Sequence, residues 1–277
     1  MQITWVMDTN LGQQSDIRNY VNAVLASGAK VIEVNYIPFS QELPVFEVDG
    51  AVIFYGSVGF IQQVQKTGKW PTGIFSNHET FTYDAWAQNY NEMLLNSPDA
   101  AKTMLIKDFS IINKDPDEYI FVRPQHDTKS IVGSVWTNKD FDKWCTIAKQ
   151  GILAGVDENT PIVVAKPYGI EAEWRLFVVD NCIVASSQYQ KNRRLYKKNG
   201  APSEVIAFAQ KAIERWSPSV AYVLDICRTA GNLFIVEAQG FNSAGTYSSD
   251  ILAIAQSVNS VAMRLYLESN IIKTAYK

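Results

Sequence analysis

The most informative stretch of the sequence is residues 222–239, which read YVLDICRTAGNLFIVEAQ. Two apolar runs flank a turn near Gly231, and this pattern predicts a β-hairpin. Residues at equal distances from the turn face each other across antiparallel strands, so we expect Asp225 and Glu237 to share one face. Gln239 lies two residues further along that face. Carboxylate and amide oxygens of this kind are ligands that Mg²⁺ prefers, together with phosphate oxygens. The alternative interpretation is that the two acids are exposed on a solvated face of the sheet.

A second segment, residues 119–133 (YIFVRPQHDTKSIVG), combines an apolar strand with two cations. Arg123 ends the strand, and Lys129 follows in a short loop. An arginine and a lysine placed together suit the oxygens of a polyphosphate or a carboxylate. Taken on its own, the segment slightly favours the alternative of a surface strand end that carries scattered charges. His126 is interpreted as a polar loop residue, because no partner for it is evident.

A third segment, residues 171–179 (EAEWRLFVV), carries an arginine within an apolar strand. Strand alternation predicts that Glu173, Arg175 and Phe177 share one face, with Trp174 on the other. A guanidinium in such a strand requires an anionic partner. Two interpretations remain open at this point: a structural salt bridge to an acid, or contact with an anionic oxygen in a cleft.

The composition is that of an ordinary folded protein. Of the 277 residues, 47% are hydrophobic and 19% are charged, and the net charge is −3 at pH 7. This balance argues against disorder and against broad attraction to nucleic acid or to a membrane. Three widely spaced cysteines suggest neither a disulfide framework nor a zinc cluster and fit a reducing compartment. With two histidines, chemistry here depends on carboxylates, Arg and Lys.

The remaining pattern alternates strands and helices. The first 60 residues predict a small βαβ unit, and Gly56-Ser57-Val58-Gly59 after its last strand is either a ligand-contacting loop or a plain turn. Asp180-Asn181 predicts a tight hairpin turn. The basic residues 191–198 are interpreted as a solvated loop, with a mobile lid or a site for an acidic substrate as the alternatives. Helices are predicted over residues 82–96, 140–150, 203–216 and 251–268.

Taken in order, these segments resemble the ATP-grasp enzymes, specifically the clade named for two arginines and a lysine and known largely from phage and bacterial genomes. The resemblance covers roughly residues 100 to 250. It is carried by Phe121-Val122-Arg123-Pro124 with Lys129 and Gly133, by Glu173-Trp174-Arg175, and by Asp225 with Val236-Glu237 and the following Phe241-Asn242-Ser243-Ala244-Gly245.

The resemblance implies an ATP-grasp fold of the α/β class built from α+β subdomains. The implied division is a pre-ATP-grasp βαβ-type domain over residues 1–97, a central subdomain over 98–165 and a C-terminal subdomain over 166–277. ATP would lie between the last two.

The resemblance also implies roles for ten residues. The cationic triad that would act on phosphates and on the developing acyl phosphate is Arg123, Lys129 and Arg175. Contacts to the nucleotide are implied for Lys107, Lys166, Glu173 and Asn242, with Glu173 on the ribose. The Mg²⁺ ligands would be Asp225, Glu237 and Gln239. Gln239 departs from the usual asparagine and lengthens the side chain, which puts the metal geometry in question.

The implied activity is ATP-dependent joining of a carboxylate to an amine through an acyl phosphate, with ADP as a product. The carboxylate substrate and the amine acceptor would be small molecules or peptides. A kinase of a small molecule or protein, or a nucleotide-binding module without turnover, are the alternatives. No signal peptide or membrane span is evident, so we expect a cytoplasmic protein, in the host cytoplasm if phage-encoded, without membrane or nucleic-acid partners.

Overall fold

The computed structural model describes residues 2–10, 14–38, 40–77, 79–112, 114–126 and 131–275. Among these residues, no helix combines the length and the apolar character that crossing a membrane requires. The strands are β1 Thr4–Asp8, β2 Lys30–Val34, β3 Val52–Tyr55, β4 Ala101–Leu105, β5 Tyr119–Pro124, β6 Ser134–Thr137, β7 Pro161–Ala165, β8 Ala172–Val179, β9 Cys182–Lys191, β10 Arg194–Asn199, β11 Ala221–Thr229 and β12 Asn232–Gly240. The α-helices are α1 Gln14–Ala26, α2 Val58–Thr67, α3 Tyr83–Tyr90, α4 Asn138–Ala148, α5 Ser203–Arg215 and α6 Ile251–Ala275.

The N-terminal part is a parallel sheet in the order β2-β1-β3. Helix α1 connects β1 to β2, which confirms the predicted βαβ unit. Because both faces of a parallel sheet are covered, β1 and β3 are buried along their whole length, whereas the edge strand β2 exposes Lys30 and Glu33. On one face Trp5 and Ile53 pack with α1 and with Ile254 of α6, and on the other Phe54 packs with Phe60 of α2.

The segment after β3 is the start of a helix and not a plain turn. Ser57 is the N-cap of α2, and its Oγ accepts a hydrogen bond from the Phe60 backbone N–H. The same hydroxyl donates to Asp8 Oδ2 at 2.9 Å. The helix ends at Gly68, whose φ of 64° is the left-handed C-cap conformation. This helix was not predicted from the sequence.

An antiparallel sheet in the order β10-β9-β8-β11-β12 forms the C-terminal part. Its turn at Asp180-Asn181 has positive φ at both residues, which confirms the predicted tight turn. On one face Trp174 packs with residues of α3 and α5, whereas on the other Phe177 packs with the N-terminal core and α6. The predicted alternation along β8 is therefore confirmed.

Between these two parts of the chain lies a third sheet, in the order β4-β7-β5-β6. It packs on α4 around Val122, Phe141 and Ile162, and these residues form a separate apolar cluster. The strand β6 was not predicted. Its partner β5 delivers Arg123 toward the five-stranded sheet, and this placement creates the candidate site.

The interpretation of the basic residues 191–198 as a solvated loop is wrong. Asn192 and Arg193, with φ of 50° and 61°, make a tight turn, and the chain returns as β10 at the edge of the sheet. All six residues of β10 are exposed. Because no face of this strand is buried, it lacks the apolar alternation from which strands are predicted.

Candidate active site

Three neighbouring strands place Arg175, Asp225 and Glu237 in one row. Asp225 of β11 is directly opposite Arg175 of β8 and directly opposite Glu237 of β12. The predicted pairing of the two acids is therefore confirmed. It depends on a β-bulge, because the register shifts between Asp225 and Ile226 and leaves Val236 as an extra residue on β12.

Arg175 and Asp225 form a buried bidentate ion pair. The Arg175 Nε and Nη2 donate to the two Asp225 carboxylate oxygens at 2.9 and 2.7 Å, and Nη1 donates to the Gly245 carbonyl at 3.2 Å. Burial opposes the Arg175 charge, but the charge and hydrogen bonds of Asp225 outweigh that effect and raise the Arg175 pKa. Arg175 therefore stays protonated. Its partner is an acid on the neighbouring strand, and not Glu173, the acid nearest to it in sequence.

Arg123 reaches the row from the other sheet. Its Nη2 donates to Glu237 Oε2 at 2.6 Å, and its Nη1 donates to the carbonyl of the bulge residue Val236 at 3.2 Å. The guanidinium carbon lies 4.8 Å from the ring centroid of Trp86 in α3, a cation–π distance. Gln239 donates its amide N–H to the second Glu237 oxygen. Each acid of the row is thus matched by one arginine.

A cleft of about 470 Å³ opens beside this row, between the four-stranded and five-stranded sheets. That size is within the range of small-molecule sites. Of the residues assigned roles by sequence, the cleft is lined by Arg123, Lys166, Glu173, Glu237 and Gln239. Positive, negative and amide groups therefore converge on one concave surface, where Lys166 is exposed and Glu173 and Gln239 are nearly buried.

Glu173 is a carboxyl group held in an apolar and acidic setting. Burial raises its pKa to about 7, and the charges of Asp225 and Glu237 add to the effect, whereas a hydrogen bond with Tyr189 opposes it. Near neutral pH, both the neutral and the ionised forms of the Glu173 carboxyl group are therefore populated. Such a carboxyl group can either donate or accept a hydrogen bond to a molecule bound in the cleft.

Two tyrosines cover Arg175. The rings of Tyr189 and Tyr247 stack with centroids 4.7 Å apart and an interplanar angle of 11°, and the Arg175 guanidinium carbon lies 5.2 Å from the Tyr247 ring centroid. Tyr247 has φ of 50°, an uncommon conformation for a bulky residue. The two tyrosines and Trp86 were not predicted as site residues, because contacts between distant segments leave no local pattern in the sequence.

Four of the ten residues assigned roles are described by the structure but are not among those that line the cleft: Arg175 and Asp225 of the row, and Lys107 and Asn242. The Lys107 side chain is exposed and donates to Asn159 Oδ1 at 2.9 Å. Asn242 is fully buried, and its amide bonds the Phe54 carbonyl at 2.6 Å and the Phe75 N–H at 2.7 Å. Lys129 lies outside the described residues. The structure therefore does not bring Lys107 or the Asn242 side chain to the cleft.

The two acids of the row, together with Gln239, offer an oxygen-rich ligand set. Asp225, Glu237 and Gln239 present two carboxylates and an amide oxygen, which are the hard ligands that Mg²⁺ prefers. Among the described residues, no three His, Cys, Asp or Glu side chains form a group able to hold a metal ion. A site here thus depends on the amide oxygen and on oxygens of a bound ligand, a donor set that fits Mg²⁺ with a polyphosphate.

Residues 100–257 match a family model described as an ATP-grasp domain, family 2 of the clade named for two arginines and a lysine. The match covers more than half of the chain and includes both arginines and both acids of the row. The chain therefore belongs to this clade of the ATP-grasp family. A search of curated proteins found no match.

Solved ATP-grasp structures share the fold over nearly the whole chain. The D-cycloserine synthetase DcsG superposes with a TM-score of 0.63 at 12% identity and covers 95% of this chain and 100% of its own. The D-alanine–D-alanine ligase from Bacillus anthracis gives 0.60 at 11% identity, with 99% of each chain covered. The ATP-grasp ligase PsnB, complexed with minimal precursor, gives 0.53 at 11%, covering 94% and 99%. These likenesses establish an ATP-grasp fold.

Proposed function

We propose that this protein is an ATP-dependent carboxylate–amine ligase that acts through an acyl phosphate. The observation that carries the proposal is the row of Arg175, Asp225 and Glu237, completed by Arg123 from the facing sheet. ATP is proposed as the nucleotide because the chain belongs to the ATP-grasp family. The relatives of similar fold include ligases named for small molecules and one complexed with a precursor peptide, so both substrate classes are proposed.

In the first step, a carboxylate oxygen attacks the γ-phosphorus of ATP, and the bond to the β–γ bridging oxygen breaks to release ADP. In the second, an amine attacks the acyl carbon, expels inorganic phosphate and loses a proton. Both steps require neutralisation of phosphate charge more than a protein nucleophile. Arg123 and Arg175 supply fixed positive charge, Lys129 is proposed as the third cation, and Lys166 and Glu173 are proposed to contact the nucleotide.

Mg²⁺ would be held by Asp225, Glu237 and Gln239, and when bound it would neutralise phosphate charge. The arginines already offset the repulsion between the two acids, which would otherwise destabilise a directly opposed pair. The same geometry would serve a kinase, which is distinguished by a phosphoester product in place of an amide. A binding module without turnover is the further alternative that Gln239 motivates, because its amide N–H is turned toward Glu237.

Thermal unfolding with and without Mg²⁺ and ATP tests the nucleotide site, because a ligand of the folded state raises the unfolding temperature. We expect a rise that requires both components and is lost in Asp225→Asn and Arg123→Ala. Arg264→Ala, which removes an exposed ion pair with Asp180, is the matched control. No rise up to millimolar ATP contradicts the proposal. If a rise occurs, carboxylate and amine pools are then screened for release of ADP and phosphate.

A further inference from the structure

The outer edge of the five-stranded sheet carries a cationic strand that the reaction does not use. Strand β10 is the outermost strand, and all of its residues are exposed. Residues 181–203 contain no Asp or Glu. The cations of this segment are Lys191, Arg193, Arg194, Lys197 and Lys198. In a protein with a net charge of −3, this edge is a local concentration of positive charge.

Most of this charge has no anionic partner in the described part of the chain. One of the five cations forms an ion pair there, Lys197, whose Nζ lies 3.7 Å from Asp16 Oδ2. Lys191 Nζ lies 5.6 Å from the ring centroid of Tyr196. Neighbouring like charges repel, so an anionic partner would relieve a cost that the folded protein carries.

Two exposed apolar side chains distinguish this edge from an edge strand whose charges serve only to prevent pairing with other chains. Lysines and bulges discourage edge strands from pairing with other chains, and β10 has a register shift between Leu195 and Lys198. That protective role does not account for Leu195, which is 72% exposed, or for Tyr196, which is 41% exposed. Among the described residues, no strand pairs with the outer edge of β10, and cationic and apolar side chains along such an edge are what an extended acidic peptide requires.

The strand also lies beside the cleft. The turn before it is fixed by a 2.7 Å hydrogen bond from the Asn192 N–H to the Glu171 carbonyl, next to cleft residues Ile170 and Glu173. Its neighbour β9 supplies Tyr189 to the cleft wall. With strands spaced about 4.8 Å apart, a strand added outside β10 would lie about 14 Å from β8, a distance that four or five extended residues span.

We infer that the outer edge of β10 binds an extended acidic segment of a peptide substrate and adds it to the sheet as a further strand. Backbone hydrogen bonds supply affinity, while Arg194 and Lys198 select carboxylates. That this peptide is a substrate rests on the proposed function, but the binding itself requires no ATP. The reacting group of such a peptide lies at least about four residues away from its acidic segment.

Fluorescence anisotropy of a labelled octapeptide of alternating Glu and Val, without ATP and at about 50 mM salt, tests this inference. We expect saturable binding that weakens at least about tenfold in R194E/K198E. The matched control is K30E/K102E, which reverses exposed lysines on the edge strands β2 and β4 and leaves the affinity within about twofold. The same peptide methylated on alternate backbone nitrogens keeps its charge but cannot pair, and we expect it to bind at least about fivefold more weakly.

The inference is overturned by any of four results. These are no saturable binding up to about 1 mM peptide, equal binding of the methylated peptide, unchanged affinity in R194E/K198E, or tighter binding of a single-stranded oligonucleotide or an anionic vesicle. The response of the unfolding temperature to Mg²⁺ and ATP is measured on the same samples. Peptide binding without that response contradicts the ligase and keeps the edge site, whereas the reverse result contradicts the edge site alone.

Discussion

The carbonyl of Val236 accepts a hydrogen bond from Arg123 at 3.2 Å, so the bulge of one sheet is tied to a side chain of the other. A bulge leaves backbone groups without a ladder partner. Here the guanidinium contacts both that carbonyl and the Glu237 carboxylate, which the bulge aligns with Asp225. The geometry requires a forked donor, and a single point charge cannot satisfy it.

Arg123→Lys should therefore weaken ATP binding about tenfold, equivalent to about 1.4 kcal/mol, because lysine cannot hold the fork geometry. Calorimetric titration of Mg²⁺-loaded ATP measures the affinity. Lys107→Ala is the matched cation control, and it should leave the affinity unchanged because Lys107 does not line the cleft. Weakening by Lys107→Ala with no effect of Arg123→Lys would reverse these two assignments.

Arg175→Ala should lower the free energy of unfolding by about 3–5 kcal/mol, because it leaves the Asp225 carboxylate buried without its bidentate partner. Chemical denaturation measures the loss. Arg264→Ala breaks the exposed pair with Asp180 and should cost less than about 1 kcal/mol. Replacing both members of the buried pair with Met and Leu should cost less than Arg175→Ala alone, and an equal or greater cost would argue against this explanation.

Glu173 should make stability depend on pH. Its pKa is about 7 in the folded protein, above the ordinary value of 4.5, so the folded state binds more protons between these values and its stability falls as pH rises through them. Glu173→Gln removes this ionisation. We expect its stability relative to wild type to increase between pH 5 and pH 8 by on the order of 2 kcal/mol. Denaturation at the two pH values measures the change, and Glu214→Gln at an exposed position should show none.

Glu237→Gln should raise the Mg²⁺ concentration that gives half of the ATP-dependent rise in unfolding temperature, by about tenfold. The substitution removes a negative oxygen ligand while retaining the size of the side chain. Glu214→Gln again serves as the control. An unchanged Mg²⁺ requirement would show that the proposed metal assignment is wrong.

Gly240→Ala should destabilise the protein by about 1–3 kcal/mol through overpacking. A Cβ at this position would clash with Ser76 Oγ, where the end of β12 meets the N-terminal part of the chain. The loss should shrink in a Ser76→Gly background, which removes the clashing side-chain atoms. Urea denaturation of the four proteins of this cycle measures the coupling, and additive effects would contradict the clash.

The sequence predicted the pairing of Asp225 with Glu237 for an incomplete reason. Counting equal steps from Gly231 assumes that this residue is the centre of the turn. The turn contains both Ala230 and Gly231, since Thr229 pairs with Asn232, and a regular ladder from it would place Val236 opposite Asp225. The extra residue restores the expected pairing. Bulges arise from long-range packing, so the sequence contains little sign of them.

Other differences between prediction and structure have several physical origins. Buried strands and amphipathic helices were predicted because burial imposes a period on the sequence. The exposed strand β10 has no such period, and the start of α2 was obscured by its two glycines. The Arg175 partner and the placement of Lys107 and Asn242 depend on contacts between distant segments. The Asn242 side chain, for example, forms hydrogen bonds with the backbone of Phe54, Gly73 and Phe75.

Those bonds of Asn242 show that the family match does not mark out a unit that can be excised. Asn242 lies within residues 100–257, yet its side-chain partners all precede that region. Phe177 and Val223 likewise belong to one apolar cluster with Trp5 and Ile53. A fragment cut at residue 100 would expose this apolar contact surface to water, so expression trials should retain the first strands.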